Sequence, residues 1–518
     1  MWLGVINVMA FSKNCRTTPT IVEPTDNEKR AYIAVSPSFY YVFLGGPGRN
    51  RTTDTRIFNP LLYRLSYQAK TTHYRDEFDE LQALGRKKLV IALRHDLMWL
   101  IRCLCWVPYN GGIVYGEGLI MAAQVHHCDI CIVGSGAVGK AAALGFAQAG
   151  LRVALLCRST APTPVSASWD VRVFALNHVA NKLLSSLKVW DALDLTRVAP
   201  VTEMQVKGGN AASDGQIGFD AYGARTDELA WIVEDRNLNH ALDTAMKFAQ
   251  HLALVAGQAK QLQWHDDSAS ILLEDGSSIR ASLVVGADGS QSWVRGQCDI
   301  GLDYRSYGQQ GVVTNFECEK PHHGVAHQWF VEELGIIALL PLPGHRVSLV
   351  WSAPDALAAT LMREPLSALV ARLEEYCLDK LGHLTPVLPE EIKAFPLTLM
   401  RPHSMIAPRV ALIGDAAHVV HPLAGHGMNL GFGDVASLLE LVKNREDHRD
   451  CGDARVLERY RRARKEEVLL MQMTTDGLAH LFGSTLAPLR LARNVGLNLL
   501  NRLPVIKNKL ISHAMGSK

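Results

Sequence analysis

Apolar residues are patterned unevenly along the chain. From residue 121 onward they gather into short runs separated by glycine turns and helical stretches, whereas the first 120 residues keep no helical or alternating period for any useful length. The first clear unit is "CIVGSGAVGKAAALGFAQAGLRVALLCRST", Cys131 to Thr160. Within it, "DICIVGSG" predicts a buried strand entering a turn, "KAAALGFAQAG" an alanine-rich helix ending at Gly150, and "LRVALL" a second strand. The connection is short, as a right-handed crossover between parallel strands requires. Two later runs end in the same way. "LVVGADGSQSWVR" (Leu283 to Arg295) is a buried strand followed by Asp288-Gly289 and a polar turn. "RVALIGDAAHVVHPLAGHGMNLGFGDVASLLELV" (Arg409 to Val442) is a strand, then Gly414-Asp415, then a glycine-rich entry into a long helix. Between these two, "GVVTNFEC", "AHQWFV", "GIIALLPL" and "RVSLVW" predict strands of a separate, mostly antiparallel sheet.

Gly134, Gly136 and Gly139 have the G-x-G-x-x-G spacing of a dinucleotide turn. The first glycine permits the tight turn, the second lets backbone approach a pyrophosphate, and the third lets helix pack on strand. The helix N-terminus adds unpaired N–H groups for phosphate. Three such strand ends, far apart in sequence, exceed what one NAD requires. An extended FAD needs more: pyrophosphate contacts, a carboxylate on the ribitol and donors around the flavin ring.

The three motifs, in this order, resemble the class A flavoprotein monooxygenases. With "DVRVFALN" (Asp170 to Asn177), "WIVEDRNLNHAL" and "FPLTLMRPH", they resemble the narrower ubiquinone-biosynthesis hydroxylase group. The likeness runs from Met121 to Met515 and includes the tail "LAPLRLARNVGLNLLNRLPVIKNKLISHAMG". It implies an α/β fold: a Rossmann-like, glutathione-reductase-like FAD domain interleaved with a mostly antiparallel substrate sheet, followed by C-terminal helices. FAD-binding segments are expected at 121–196, 234–301 and 396–470, the sheet at 197–233 and 302–395, and a helical segment at 471–518. The resemblance further implies that NADH or NADPH reduces FAD. O2 then hydroxylates an electron-rich aromatic ring by way of a C4a-hydroperoxyflavin, and the apolar sheet would suit a polyprenylated phenol or benzoquinol.

Carried over residue by residue, the resemblance assigns the pyrophosphate turn to Gly134, Ser135, Gly136, Ala137, Val138 and Gly139. Arg158 and Arg172 would approach the cofactor with fixed positive charge. Asp288 and Gly289 would serve both FAD and the nicotinamide donor. Gly414 and Asp415 would hold the ribitol, and Pro422, Gly425, Gly427, Met428 and Asn429 would form the helix entry at the flavin pyrimidine edge, where the helix dipole favours reduced flavin. No side chain is identified as an essential acid or base, since the cofactor carries the chemistry. Two positions depart from the family pattern. Cys157 ends the second strand where Glu is usual, and a thiol is a poor acceptor for ribose hydroxyls. His426 stands where Gln is usual. These departures keep open a non-catalytic flavin-binding scaffold in a quinone-biosynthesis complex, and an FAD-dependent prenyl reductase shares the same cofactor motifs.

Composition changes this picture little. Of 518 residues, 48% are hydrophobic and 20% charged, and the net charge of +2 gives no warrant for a nucleic-acid partner. Ten cysteines at irregular spacing, with no secretory signal evident, suggest reduced thiols and a cytoplasmic protein. Cys128 and Cys131 form a CxxC, but three residues along a strand puts them on opposite faces. His418, His421 and His426 are expected to hold no metal, because Pro422 and the glycines break any shared helical face. "YRRARKEE" (Tyr460 to Glu467) reads as a solvated helix face. The apolar run "LVIALRHDLMWLIRCLCWV" is interrupted by Arg94, His95, Asp96 and Arg102, so no spanning helix is expected. The abrupt onset of pattern at Met121 suggests a native start there, with residues 1–120 non-native or poorly structured; a genuine extra domain is the competing reading. Residues 487–518 carry basic Arg490, Arg493, Arg502, Lys507, Lys509 and Lys518 and no acidic residue, which suits peripheral contact with the inner face of a membrane or with a biosynthetic complex.

Overall fold

The computed structural model describes residues 31–36, 39–44, 124–161, 168–208, 215–388, 391–421 and 425–483. The chain divides into two units, Met1–Leu119 and Ile120–Lys518. In the first, β1 (Ala31–Ser36) and β2 (Phe39–Leu44) pair as an antiparallel hairpin. The rest of residues 1–120, the proposed start at Met121 and the basic segment 487–518 lie outside the described residues.

The second unit is built on two large sheets. In the first, β3 (Val125–Val133) pairs parallel with β4 (Val153–Cys157), which pairs parallel with β10 (Leu252–Ala256). On its other side β3 pairs parallel with β13 (Ser278–Gly286), whose last three residues pair parallel with β21 (Val410–Leu412). Strands β11 (Ala259–Trp264), β12 (Ala269–Leu273) and β20 (Ile406–Ala407) add antiparallel neighbours. All five residues of β4 are buried, so its run is continuously apolar rather than alternating, as expected of a strand covered on both faces. Helix α1 (Ala137–Gln148) lies close against the sheet because its buried face is largely alanine. Helices α2 (His178–Ser186), α3 (Asp235–Met246) and α4 (Trp293–Gln297) complete this part.

The second large sheet runs β18-β14-β17-β16-β15-β7-β8, with β19 also on β14. Its members are β7 (Glu203–Lys207), β8 (Gln216–Asp220), β14 (Leu302–Cys318), β15 (Val325–Val331), β16 (Gly335–Leu342), β17 (Arg346–Pro354), β18 (Leu384–Pro386) and β19 (Lys393–Pro402). Every pairing is antiparallel except β15 with β7. One face is covered by α5 (Asp355–Leu361) and α6 (Leu366–Leu381): Val312, Phe316, Trp329, Leu349 and Trp351 pack with Leu369, Leu373 and Leu381. The four strands expected from the sequence are β14 to β17.

Three boundaries differ from expectation. Strands β6 (Val198–Val201) and β9 (Ala230–Glu234) do not join the large sheet; β9 pairs with β6 and with β5 (Val173–Leu176) in a small sheet of their own. Strand β19 continues to Pro402, past residue 395, because β14 is long enough to pair with it on both sides of an irregularity at Ser306–Gln310. Helix α7 (His426–Lys443) is followed by α8 (Ala454–Gly483), one continuous helix across the expected boundary at 470. Among the described residues no helix is long and apolar enough to cross a membrane.

Candidate functional site

The three motifs meet at the carboxyl ends of parallel strands, where open α/β sheets bind ligands. Backbone hydrogen bonds join them: Gly134 N donates to Leu156 O (3.0 Å), Ala287 N to Val133 O (2.8 Å), and Ile413 N to Gly286 O (2.9 Å). Gly134 has φ +111°, and a Cβ there would collide with the Ala287 carbonyl. A Cβ on Gly139 would strike the Gly134 carbonyl, so this glycine lets α1 close on the turn. Val138 reaches from α1 to the other motif: Cβ atoms built on Gly414 and Gly431 would lie 3.3 and 2.8 Å from its methyls. Ser135 is half-buried and Ala137 buried beside it.

Space opens at three other glycines. A Cβ on Gly136, Gly289 or Gly427 would meet nothing within 4 Å. Gly136 is the N-cap of α1 and Gly425 (φ +68°) that of α7; neither helix has a side-chain cap or an acidic residue in its first turn. Their leading N–H groups are thus left for an external acceptor. Asp288 accepts from Val294 N through Oδ2 (3.0 Å), while its buried Oδ1 has no partner.

Asp415 is solvent-exposed, yet protein crowds it closely enough that burial pushes its carboxyl above the ordinary range, against the opposing pull of His418 and Arg172. Exposure combined with desolvation is the signature of a cleft floor. Arg172 reaches the same cleft from the position immediately before β5 (Val173–Leu176). Its guanidinium lies over the Phe174 ring at 5.3 Å and near Phe395 at 6.0 Å. Phe395 pairs across the ladder with Gly311, so the face of β14 that carries Gln309, Gly311 and Val313 turns toward Arg172. The cleft is therefore bounded by motif loops on one side and on the other by a sheet face of mixed character, where Gly311, Val313 and Val350 share the surface with Gln309, Asn315, Ser348 and Ser352.

The anchors that hold this arrangement are residues sequence reasoning did not assign. Asp434 of α7, fully buried, accepts from Gly414 N (2.9 Å), contacts the His418 ring (2.7 Å) and pairs with Arg464 Nε (2.7 Å). Burial pushes its carboxyl up, but His418 and Arg464 pull harder, leaving it below the ordinary range. Arg464 also donates to Leu430 O and meets Glu467. It is 3% exposed, a departure from the solvated face expected of Tyr460–Glu467. Tyr460, Arg464 and Val468 recur every fourth residue and so form the inner stripe of α8. Arg295 joins the second motif to the third, donating to Ser290 O and Ala416 O. Glu234 accepts from Arg197 and from Asp170 N, fixing the loop that leads to Arg172.

Several expected cofactor residues take other positions. Asn429 is buried and its amide is engaged: Oδ1 accepts from Asn177 N, and Nδ2 donates to Ala175 O and Gly425 O. It clamps β5 to α7 and positions the site. Met428 packs against the main core. Arg158 is exposed just beyond β4. Cys157 is 5% exposed and its Sγ lies 3.6 Å from Val255 O, so it offers nothing to a ribose. Pro422 and the His426 side chain lie outside the described residues. His418 is committed to Asp434, and His421 Nε2 lies 3.2 Å from Gln309 Oε1.

These features fit FAD. The open Gly136 turn and uncapped α1 suit a pyrophosphate, Asp415 in its cleft suits a ribitol hydroxyl, and the unpartnered Asp288 Oδ1 awaits a donor. Residues 127–473 match the family described as FAD binding domain. Ubiquinone hydroxylase UbiL of Rhodospirillum rubrum is 35% identical over 418 residues, covering 79% of this chain and 96% of that protein. The 3-demethoxyubiquinol 3-hydroxylase of Escherichia coli is 34% identical over 391 residues, covering 75% and 98%. The crystal structure of PqsL, a probable FAD-dependent monooxygenase from Pseudomonas aeruginosa, superposes with a TM-score of 0.60 at 20% identity, covering 72% of this chain and 99% of that one, a likeness of fold.

Proposed function

Since the chain belongs to the FAD-dependent monooxygenases of the ubiquinone-biosynthesis hydroxylase family, we propose that it hydroxylates the aromatic ring of a polyprenylated phenol or benzoquinol, using NADH or NADPH and O2. The observation that carries this reading is the meeting of three motif loops in one cleft beside the sheet face that carries Gly311, Val313 and Phe395. Bound FAD supplies the redox chemistry, passing electrons from the nicotinamide donor to dioxygen.

The chain's own residues have four tasks in this scheme. Gly134, Gly136 and the first N–H groups of α1 hold the pyrophosphate. Asp415 accepts from the ribitol and Asp288 from a neighbouring cofactor hydroxyl, while Arg172 offsets anionic charge in the cleft. The uncapped α7 N-terminus would hold the flavin edge and would stabilise negative charge there. The sheet face excludes water and positions the substrate ring. Cys157 weakens the adenosine-end contact without removing the others. Residues 487–518, basic and free of acidic side chains, would bring the cleft to a membrane-dissolved substrate.

Complementation tests the reading. Strains lacking hydroxylases for different ring positions are supplied with this chain, and the accumulating quinone intermediate is identified by mass. Restored ubiquinone in one background is the expected result. No restoration in any of them, with FAD-loaded protein present, favours the scaffold alternative.

A further inference from the structure

The parallel sheet ends on one side at β10 (Leu252–Ala256), which pairs only with β4 among the described residues. Successive residues of a parallel strand point their backbone groups to opposite sides. His251 O accepts from Val153 N, and Gly257 N donates to Cys157 O, so the odd-numbered residues of this stretch serve β4. The N–H and C=O groups of Leu252, Leu254 and Ala256 therefore point away from the sheet. Side chains leave that side open as well: Ala253 and Ala256 are exposed, and Leu254 is 45% exposed.

An unpaired edge invites pairing with another chain, and proteins blunt such edges with charge, proline or brevity. The other edges of the two large sheets follow this rule. Strand β11 carries Lys260, β8 Asp220, β18 Pro386 and β19 both Lys393 and Pro396, while β20 is two residues long. Strand β10 reads Leu-Ala-Leu-Val-Ala, with neither charge nor proline. It is also self-complementary. Two copies laid antiparallel about a two-fold axis through Leu254 would pair Leu254 with Leu254 and Leu252 with Ala256. Every outward N–H then meets a C=O, because these residues all fall at hydrogen-bonded pairs of the ladder. The two Leu254 side chains lie directly opposite each other on one face, so each covers the other. A slip of one residue would set outward groups against inward ones and lose the ladder.

We propose that β10 is the contact edge of a symmetric homodimer, in which the parallel sheets of two copies join into one continuous sheet. The occupant that fits this edge is a second copy of the chain, since a two-fold axis meets its donors with its own acceptors and needs no charged partner. None of the cleft residues lies on β10, so the contact forms without any change in the cofactor site.

The test measures the mass of the FAD-loaded full chain by light scattering during gel filtration. Wild type should run at twice the 57.0 kDa of one chain and fall toward the single-chain mass on dilution. Leu254→Lys sets like charges opposite each other at the axis, so at the same concentration it should shift to the single-chain mass with its FAD content unchanged. Leu254→Cys should form a disulfide between copies on mild oxidation, because opposed residues of a hydrogen-bonded pair lie about 5.5 Å apart between Cα atoms, within disulfide reach. Ala253→Cys, off the axis, should not cross-link beyond the wild-type background. A single-chain mass for wild type, as when another part of the chain covers the edge, overturns the proposal. So does a dimer that persists in Leu254→Lys, or cross-linking that is equal in the two cysteine variants. Should Leu254→Lys lose FAD, the cysteine pair decides alone.

Discussion

Replacing Asp434 with alanine should damage both stability and cofactor retention, and the magnitude follows from what its carboxylate holds. Three contacts are lost at once: the Gly414 N–H, the His418 ring and the Arg464 guanidinium. The larger cost is what stays behind. Arg464 is buried, and removing one member of a buried ion pair typically costs about 3–5 kcal/mol because the other charge is left uncompensated. Glu467 still meets Arg464, which places the expected loss near the lower end, about 3 kcal/mol. Since whole domains are stable by about 5–15 kcal/mol, the urea midpoint should fall clearly. Releasing Gly414 also frees the loop that carries Asp415, so FAD should be lost more readily on gel filtration. A double-mutant cycle with Arg464→Met separates the pair from its surroundings, with an expected coupling of about 2–3 kcal/mol. The pH dependence has a defined sign. Asp434's carboxyl is depressed in the folded state, so its contribution is present above the unfolded value of about 3.9 and is lost as pH falls through the lower folded value. Unfolding of Asp434→Ala within about 0.5 kcal/mol of wild type, with FAD retained, would refute the reasoning, because that is the range of ordinary surface changes.

Other substitutions separate folding from binding. Gly134→Ala should destabilise the protein, since its Cβ collides with the Ala287 carbonyl at φ +111°, whereas Gly136→Ala should fold normally and bind FAD at least about tenfold more weakly because its methyl projects into open space; equal melting temperatures for the two would count against this geometry. Asp415→Ala should bind FAD roughly tenfold more weakly in a fluorescence titration. Without cofactor the same variant should unfold at a higher temperature than wild type above the folded pKa of Asp415, because that carboxyl is raised and its charged form is disfavoured in the fold; a lower apo melting temperature would contradict the cleft-floor assignment. Cys157→Glu should tighten FAD by restoring a ribose acceptor, and unchanged affinity would show that the adenosine end lies elsewhere.

The parts legible in the sequence were those written in local pattern. Gly134, Gly136 and Gly139 declare their turn for separate reasons: Gly134 by its positive φ, Gly139 by the close approach of the Gly134 carbonyl, and Gly136 by the open space it leaves at the start of α1. Strands β14 to β17 declare themselves through apolar runs. What stayed hidden depends on contacts between distant residues. Arg464 sits in a charged stretch that reads as solvent-facing, and only the partner thirty residues earlier on α7 shows that it points inward. Asn429 resembles a ligand contact by its place in a glycine-rich motif, but its amide is consumed by the backbone of Ala175, Asn177 and Gly425. The small β5-β9-β6 sheet was missed for the same reason. Four- and five-residue strands predict their own extension, not the neighbour they pair with.

The most direct test of the central claim is isotopic. Purified FAD-loaded protein is given NADH or NADPH, a short-chain prenylated phenol and heavy-isotope dioxygen, and the aromatic product is analysed by mass spectrometry. The account predicts nicotinamide oxidation accelerated by the phenol and a product whose new ring hydroxyl carries the heavy isotope. A ring that gains no label, while the nicotinamide is oxidised and the phenol is bound, would contradict it.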